Sequence, residues 1–307
     1  MKIVCIGPGA MGCLFAAKLK RAGNEVGLMD YKEDRARLLS TNGIYVEGVT
    51  GSFHEMVPVQ TRPDFHPIDL VLVCVKAIKT EEVAYALANK IGEKSIVVSL
   101  QNGVGNIEIL SRFLGTERVV GGITSEGATL LGPGHVRHAG QGQTFIGAVD
   151  AQHPALPQIA SLFNNAGFST KISDNINGLI WGKLLVNAGI NALAAITRLR
   201  NGVLPDLPET RDLMHEAVRE AKLIAQAKGI ELPYDDPIAR VTEVCRATAT
   251  NVASMLQDVL NRKPTEVDFI NGAIAREGEA LGIPTPVNRA LTKIIKVIER
   301  TYDKVLA

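Results

Sequence analysis

Residues 2–20 read Lys2-Ile3-Val4-Cys5-Ile6-Gly7-Pro8-Gly9-Ala10-Met11-Gly12-Cys13-Leu14-Phe15-Ala16-Ala17-Lys18-Leu19-Lys20, and this stretch decides the fold. A β-branched apolar run leads directly into Gly7-x-Gly9-x-x-Gly12, and apolar residues at helical spacing follow. In a strand–turn–helix setting the three glycines have separate tasks. Gly7 permits the tight turn, Gly9 lets the backbone approach a pyrophosphate, and Gly12 lets helix and strand pack closely. Pro8, Ala10 and Met11 complete the turn. The unpaired N–H groups and positive dipole end of the new helix then face the phosphates. The reading is a dinucleotide site.

Moving outward, a second apolar run, Glu25 to Asp30, ends in a carboxylate 18 residues after Gly12. An acidic side chain there accepts hydrogen bonds from ribose hydroxyls and repels a 2′-phosphate, so Asp30 points to NADH rather than NADPH. Lys32 and Arg35 follow, either as solvated charge or as phosphate partners. Further strand-like runs are Asp69 to Val75, Ser95 to Leu100 and Val119 to Thr124, alternating with helical stretches. That alternation predicts a parallel sheet covered by helices. Gly134 to His138 and Thr144 to Val149 are expected as antiparallel additions, because the loop between them is too short for a crossover helix.

After about Asp174 the strand-like runs stop and apolar residues recur at three- and four-residue intervals. Helices are expected near Asn175 to Leu199, Asp206 to Lys228, Asp236 to Leu260, Glu266 to Leu281 and Val287 to Lys304. The predicted fold class is therefore α/β: a Rossmann-type dinucleotide-binding domain over 1–174, then an all-helical C-terminal domain over 175–307 for substrate and catalysis.

A hydrophobic content of 46% suffices for a core in each domain, and a net charge of +1 gives no field for nucleic acid or an anionic membrane. Neither a signal peptide nor an apolar stretch of about 20 residues is expected, which points to a soluble, cytoplasmic protein with no membrane partner. Cys5, Cys13, Cys74 and Cys245 lack metal-type spacing and read as buried free thiols, with no metal site. A homodimer is compatible with the helical domain.

Two strand ends carry polar groups where open α/β sheets bind ligands: Lys76, which can also snorkel to solvent, and Asn102, which with Gly103 can also form a plain turn. In the second half, Lys183, Asn187 and Asn191 recur every four residues in an otherwise apolar helix and so share one face. Reduction of a ketone leaves negative charge on oxygen, which needs a proton donor, and a partly buried lysine suits that task. The alternative for this face is interhelical hydrogen bonding by the asparagines, with Lys183 at the surface. Glu266 follows Pro264-Thr265 near a helix start, where a carboxylate is favourable anyway; chemistry alone does not choose between that and a ligand contact.

These segments together resemble the ketopantoate reductase (2-dehydropantoate 2-reductase) family. The resemblance rests on Gly7-x-Gly9-x-x-Gly12, Lys76, Gln101-Asn102-Gly103-Val104-Gly105, Gly127-Ala128, Pro133-Gly134-His135-Val136 with His138 beyond, Trp181-x-Lys183-Leu184-x-x-Asn187-x-x-x-Asn191, Ser254-Met255-Leu256-Gln257-Asp258 and Thr265-Glu266-x-Asp268-x-Ile270-Asn271-Gly272. It implies reduction of 2-dehydropantoate to pantoate by NAD(P)H, a step of pantothenate and coenzyme A biosynthesis. It also implies Lys183 as proton donor and Glu266 as the carboxylate completing the active site. Asn187, Asn191, Asn201 and Ser254 would surround the substrate, and Lys76, Asn102 and Ala128 the nicotinamide half of the cofactor. The family's usual cofactor is NADPH, often held by an arginine just after the second strand. Here Tyr31 stands at about that position, so NADH use, even preferred use, is expected. Two rivals stay open: a related dehydrogenase acting on another 2-oxo acid or an imine, and a nicotinamide-sensing protein without turnover.

Overall fold

The computed structural model describes residues 1–62, 67–149 and 153–304. In chain order the elements are β1 (Lys2–Ile6), α1 (Ala10–Arg21), β2 (Glu25–Met29), α2 (Glu33–Asn42), β3 (Ile44–Gly48), β4 (Phe53–Glu55), β5 (Val59–Gln60), β6 (Leu70–Val73), α3 (Thr80–Leu87), β7 (Ile96–Ser99), α4 (Asn106–Leu114), β8 (Val119–Thr124), β9 (Gly127–Gly132), β10 (His135–Gly140), β11 (Thr144–Ala148), α5 (Leu156–Asn165) and β12 (Thr170–Ile172). Helices α6 (Ile176–Thr197), α7 (Pro208–Ala227), α8 (Pro237–Ala247), α9 (Ser254–Leu260), α10 (Asn271–Leu281) and α11 (Pro286–Arg300) follow. Contacts divide the chain into two compact units. One is Met1–Gln101 with Asn106–Ile176, the other Asn102–Gly105 with Asn177–Ala307.

The first unit is built on an eight-stranded sheet in the order β12-β11-β8-β7-β6-β1-β2-β5. Its strands from β5 to β8 are parallel, and their order is that of a doubly wound dinucleotide fold. Because strand side chains alternate, Ile3 and Cys5 enter one core, with α1 and α5, while Val4 and Ile6 enter another, with α3 and α4. The order reverses at β1, whose neighbours are β2 and β6. Ligands of such sheets bind at this switch point, outside the carboxyl ends of the strands.

Several expectations are corrected. β11 does add antiparallel to β8, but β10 lies in a separate four-stranded sheet, β4-β3-β10-β9, antiparallel to β9 and parallel to β3. The short loop between the two runs excludes a crossover but does not require the runs to pair; β10 pairs with its neighbour β9 and the distant β3, and β11 with β8 and β12. In this second sheet, which packs on α1, the buried His138 pairs at 2.5 Å with the buried Glu126 and at 2.8 Å with the half-buried Thr50. The expected helix from Asp236 to Leu260 is two helices, α8 and α9, and the expected start at Glu266 is a short 3₁₀ turn, Val267–Phe269, before α10. The expectation that no apolar stretch is long enough to span a bilayer also fails. By length and composition α6 would suffice, and 67% of its most apolar window is buried in the protein, as in a core helix.

Around α6 the second unit packs α7, α8, α10 and α11, with Leu184, Leu185, Ala188, Met214, Val218, Ile274 and Ile295 at the centre. One buried polar chain ties α6, α7, α10 and α11 together. Glu220 accepts from the Val287 and Asn288 N–H groups at 2.8 and 2.9 Å, capping α11, and Asn288 in turn receives a hydrogen bond from Asn271, which also donates to the Ala188 carbonyl at 3.0 Å. Cys5, Cys13, Cys74 and Cys245 are free. Burial pushes the Cys13 and Cys74 thiols up to about 12, which leaves them unreactive.

Candidate functional site

In the first unit the dinucleotide turn has the geometry its glycines require. Gly7 has φ 101°, and a β-carbon there would lie 2.8 Å from the Val75 nitrogen. At Gly12 a β-carbon would meet the Gly7 carbonyl oxygen at 1.9 Å, so α1 can seat on the turn only with glycine. Gly9 faces open space, with nothing within 4 Å of its missing β-carbon. It is the N-cap of α1 and offers no side-chain cap, so the first-turn N–H groups stay available to an anion. Pro8 is buried beneath the turn, whereas Ala10 and Met11 are partly exposed. A dinucleotide pyrophosphate fits these features.

Asp30 sits at the end of β2 with its carboxylate fully buried. The Arg35 guanidinium, reaching back from the first turn of α2, grips both oxygens, with Nη2 to Oδ1 at 2.7 Å, and the Lys32 N–H adds a bond at 3.1 Å. A buried carboxylate needs such a counter-charge, and the pairing holds the Arg35 guanidinium above its ordinary value. Tyr31 is exposed, with the cationic ends of Lys32, Arg35 and Lys79 all within about 6 Å of its ring. Lys76 stands just past β6, at the start of the turn Ala77–Lys79. Ala128 lies in β9, opposite His138.

In the second unit Lys183, Asn187 and Asn191 share one face of α6. Lys183 and Asn187 are partly exposed and Asn191 is buried. The asparagine pairing weighed for this face is absent, since neither side chain hydrogen-bonds any other described residue. Burial pushes the Lys183 ammonium down to about 8, with the Glu266 carboxylate opposing the fall. Glu266 stands at the N-cap position of the Val267–Phe269 turn, but its side chain makes no capping hydrogen bond; the Thr265 hydroxyl accepts from the Val267 N–H at 3.2 Å. The Glu266 carboxylate instead accepts from the Asn102 amide at 3.3 Å. Asn102 is carried there by its loop. Gly103, at φ 83°, comes so close to Phe269 that a β-carbon would lie 2.4 Å from its carbonyl oxygen, which also accepts from the Val104 N–H at 3.2 Å.

Asn201 opens a 3₁₀ turn, Asn201–Val203, against the segment between α8 and α9. Its amide donates to the Thr248 hydroxyl at 2.9 Å, and Thr248 donates in turn to the Val244 carbonyl. This chain of donors orients the amide and leaves the buried Asn201 oxygen without a partner among the described residues. Ser254 is exposed at the first position of α9. Among the described residues no cluster of three or more His, Cys, Asp or Glu is arranged for a metal. The sequence reading missed the Asp30–Arg35 pair, although an arginine five residues after a strand-end carboxylate was a visible signal. It also missed Gln101, whose amide holds the Val75 carbonyl at 2.9 Å and the Thr80 hydroxyl at 2.7 Å and thereby fixes the end of β6.

A doubly wound nucleotide-binding sheet, together with a helical unit that sets a depressed lysine against a carboxylate, defines the class: two-domain, dinucleotide-dependent oxidoreductases. The chain belongs, within that class, to the ketopantoate reductase family. The family profile "Ketopantoate reductase PanE/ApbA" matches residues 3–151, and its "C terminal" profile matches residues 175–299. The 2-dehydropantoate 2-reductase of Archaeoglobus fulgidus is 35% identical over 299 residues, covering 97% of this chain and 98% of the relative. A solved PanE/ApbA family ketopantoate reductase from Ralstonia eutropha JMP134 superposes with a TM-score of 0.91 at 33% identity, covering 99% of this chain and 100% of that one. A D-mandelate dehydrogenase solved with NADH and anilino(oxo)acetate reaches the same TM-score, 0.91, at 28% identity, with coverage of 99% and 100%.

Proposed function

We propose that this chain reduces the C2 keto group of 2-dehydropantoate to pantoate, with Lys183 as proton donor. The observation that carries the reading is the α6 face itself, where a lysine depressed to about 8 and opposed by Glu266 shares a stripe with two asparagine amides that hydrogen-bond no other described residue. Such amides, one half-buried and one buried, await a polar ligand. The bound dinucleotide supplies the hydride. Lys183 holds a proton at the carbonyl oxygen and gives it up as charge develops there, and a value near 8 keeps it protonated yet willing at neutral pH. Glu266, steadied by Asn102, fixes the ammonium's direction and keeps it charged. Asn187 and Asn191 orient the substrate, the unpartnered Asn201 oxygen accepts from a substrate hydroxyl, and Ser254 meets the carboxylate end.

Gly7 to Gly12 hold the pyrophosphate in this reading, with Lys76, Asn102 and Ala128 toward the nicotinamide. Both NADH and NADPH are accepted. Asp30 keeps the ribose end acidic, as NADH binding favours, while Arg35 cancels its charge and Lys32 and Lys79 supply cations for a 2′-phosphate. The likeness to D-mandelate dehydrogenase favours a second reading on the same chemistry, in which the substrate is another 2-oxo acid.

Steady-state turnover of ketopantoate and a panel of 2-oxo acids, each with NADH and NADPH, tests these readings together. Ketopantoate is expected to give the highest kcat/KM; a higher value for another 2-oxo acid replaces it as substrate. Since the acid must be protonated, kcat should be level below about pH 8 and fall above it. Lys183→Ala should lower kcat by about 10²–10⁴-fold while cofactor binding persists. A kcat that survives removes Lys183 from the role of acid.

A further inference from the structure

We propose that Tyr234 is the residue that positions the proton donor, acting through the backbone of α6. Its hydroxyl donates to the carbonyl of Gly182, the residue immediately before Lys183, at 2.6 Å. In a continuous helix that carbonyl already accepts the N–H four residues on, so the tyrosine adds a second bond from outside. The approach is built for the purpose. A β-carbon at Gly182 would lie 2.9 Å from the Pro233 ring and 3.3 Å from the Tyr234 ring, so only glycine at this point lets the Pro233-Tyr234 arch lie on the helix. Gly182 sits well inside α6, where glycine weakens a helix, and the close approach explains its presence.

The arch is itself anchored on both sides. Leu232 packs on the core of the helical unit, and Asp236 caps α8 by accepting from the Ile238 and Ala239 N–H groups at 2.9 and 3.0 Å. Tyr234 therefore presses from a fixed support. Burial pushes its phenol up to about 12, with Arg240 opposing, so it stays a donor throughout the range in which Lys183 titrates. The consequence is local. Pinning the 182 carbonyl holds the turn that carries Lys183 at one rotation and depth, and thereby holds the ammonium where burial, the larger effect, depresses it against the opposition of Glu266. A misplacement of an ångström in a reacting group is enough to cost about 10²-fold in rate.

This inference rests on Lys183 being the proton donor, and the test separates the two ideas. Tyr234→Phe keeps the ring and removes only the hydroxyl. Expected are a fall in kcat of about tenfold or more and a KM for NADPH unchanged within about twofold, because the dinucleotide turn is untouched. In parallel, ¹³C-methylated lysine signals, with Lys183 assigned from Lys183→Arg, should show Lys183 titrating near 8 in the parent and nearer its ordinary 10.5 in Tyr234→Phe, as the loosened turn admits water. Gly182→Ala, which pushes the arch away with the tyrosine intact, should reproduce both changes. Parent-like kcat in Tyr234→Phe overturns the inference. If the parent reduces none of the 2-oxo acids, the functional reading has failed, and the lysine titration alone decides: an unshifted Lys183 overturns the positioning role, a shifted one upholds it.

Discussion

At the scale of single residues, the charges that matter here are the ones the fold has drawn partly or wholly out of water. Lys183 is depressed by burial and Asp30 is neutralised by a partner, and the two solutions serve different ends. An ammonium depressed by burial is ready to give up its proton. A carboxylate paired with a guanidinium is held as a neutral couple. Removing the guanidinium makes this visible. In Arg35→Ala the Asp30 carboxylate has lost its counter-charge and faces a 2′-phosphate with its repulsion restored. The ratio of kcat/KM for NADPH over that for NADH should fall by about tenfold or more, equivalent to roughly 1.4 kcal/mol. An unchanged ratio in paired assays would mean that Asp30 and Arg35 do not touch the adenosine end.

At the scale of elements, each unit has a helix built around glycine positions that something else approaches. α1 needs Gly12 to lie on the turn and Gly9 to leave its N-terminus uncovered, and the structure separates these needs. A β-carbon at position 12 collides with backbone, whereas one at position 9 meets nothing. Gly9→Ala should therefore melt within about 1 kcal/mol of the parent, as an exposed substitution without strain does, yet bind NADPH at least about tenfold more weakly, because the methyl takes the space of the pyrophosphate. Isothermal titration and thermal melts of the same sample check this; parent-like affinity would place the phosphates elsewhere. α6 is legible in the same way, since its polar stripe at four-residue steps stands out from an apolar background. What the stripe is paired with is not legible. Glu266 comes from 83 residues beyond Lys183 and Asn102 from a loop in the other half of the sequence, and no local pattern marks either as the partner.

At the scale of the whole molecule, the two units have separate cores. The sheet's layers bury Ile3, Phe15 and Leu72 on one side and Val4, Val73 and Val97 on the other, while the helical unit closes around Leu185, Met214 and Ile274. Two cores predict two unfolding events. Calorimetry should give a van't Hoff enthalpy below the calorimetric one, and NADPH at about a hundredfold its Kd should stabilise the event belonging to the sheet unit by about 2.7 kcal/mol. A single two-state melt with matching enthalpies would show that the units unfold as one.

The sequence by itself determined the elements whose signals are local. The strand–glycine turn–helix at the start, the β-branched parallel strands, the change to helical period after residue 174 and the polar face of α6 each declare themselves within one window of residues. Tertiary structure decided every pairing between distant windows. It set β10 beside β3 in a second sheet, split the helix expected over residues 236–260, folded Arg35 onto Asp30, brought Asn102 to Glu266 and laid Tyr234 on Gly182. Backbone propensity and hydrophobic period act over a few residues and can be read along the chain. A buried charge or a bare carbonyl states only that it needs a partner, and the packing of the folded chain chooses which one it finds.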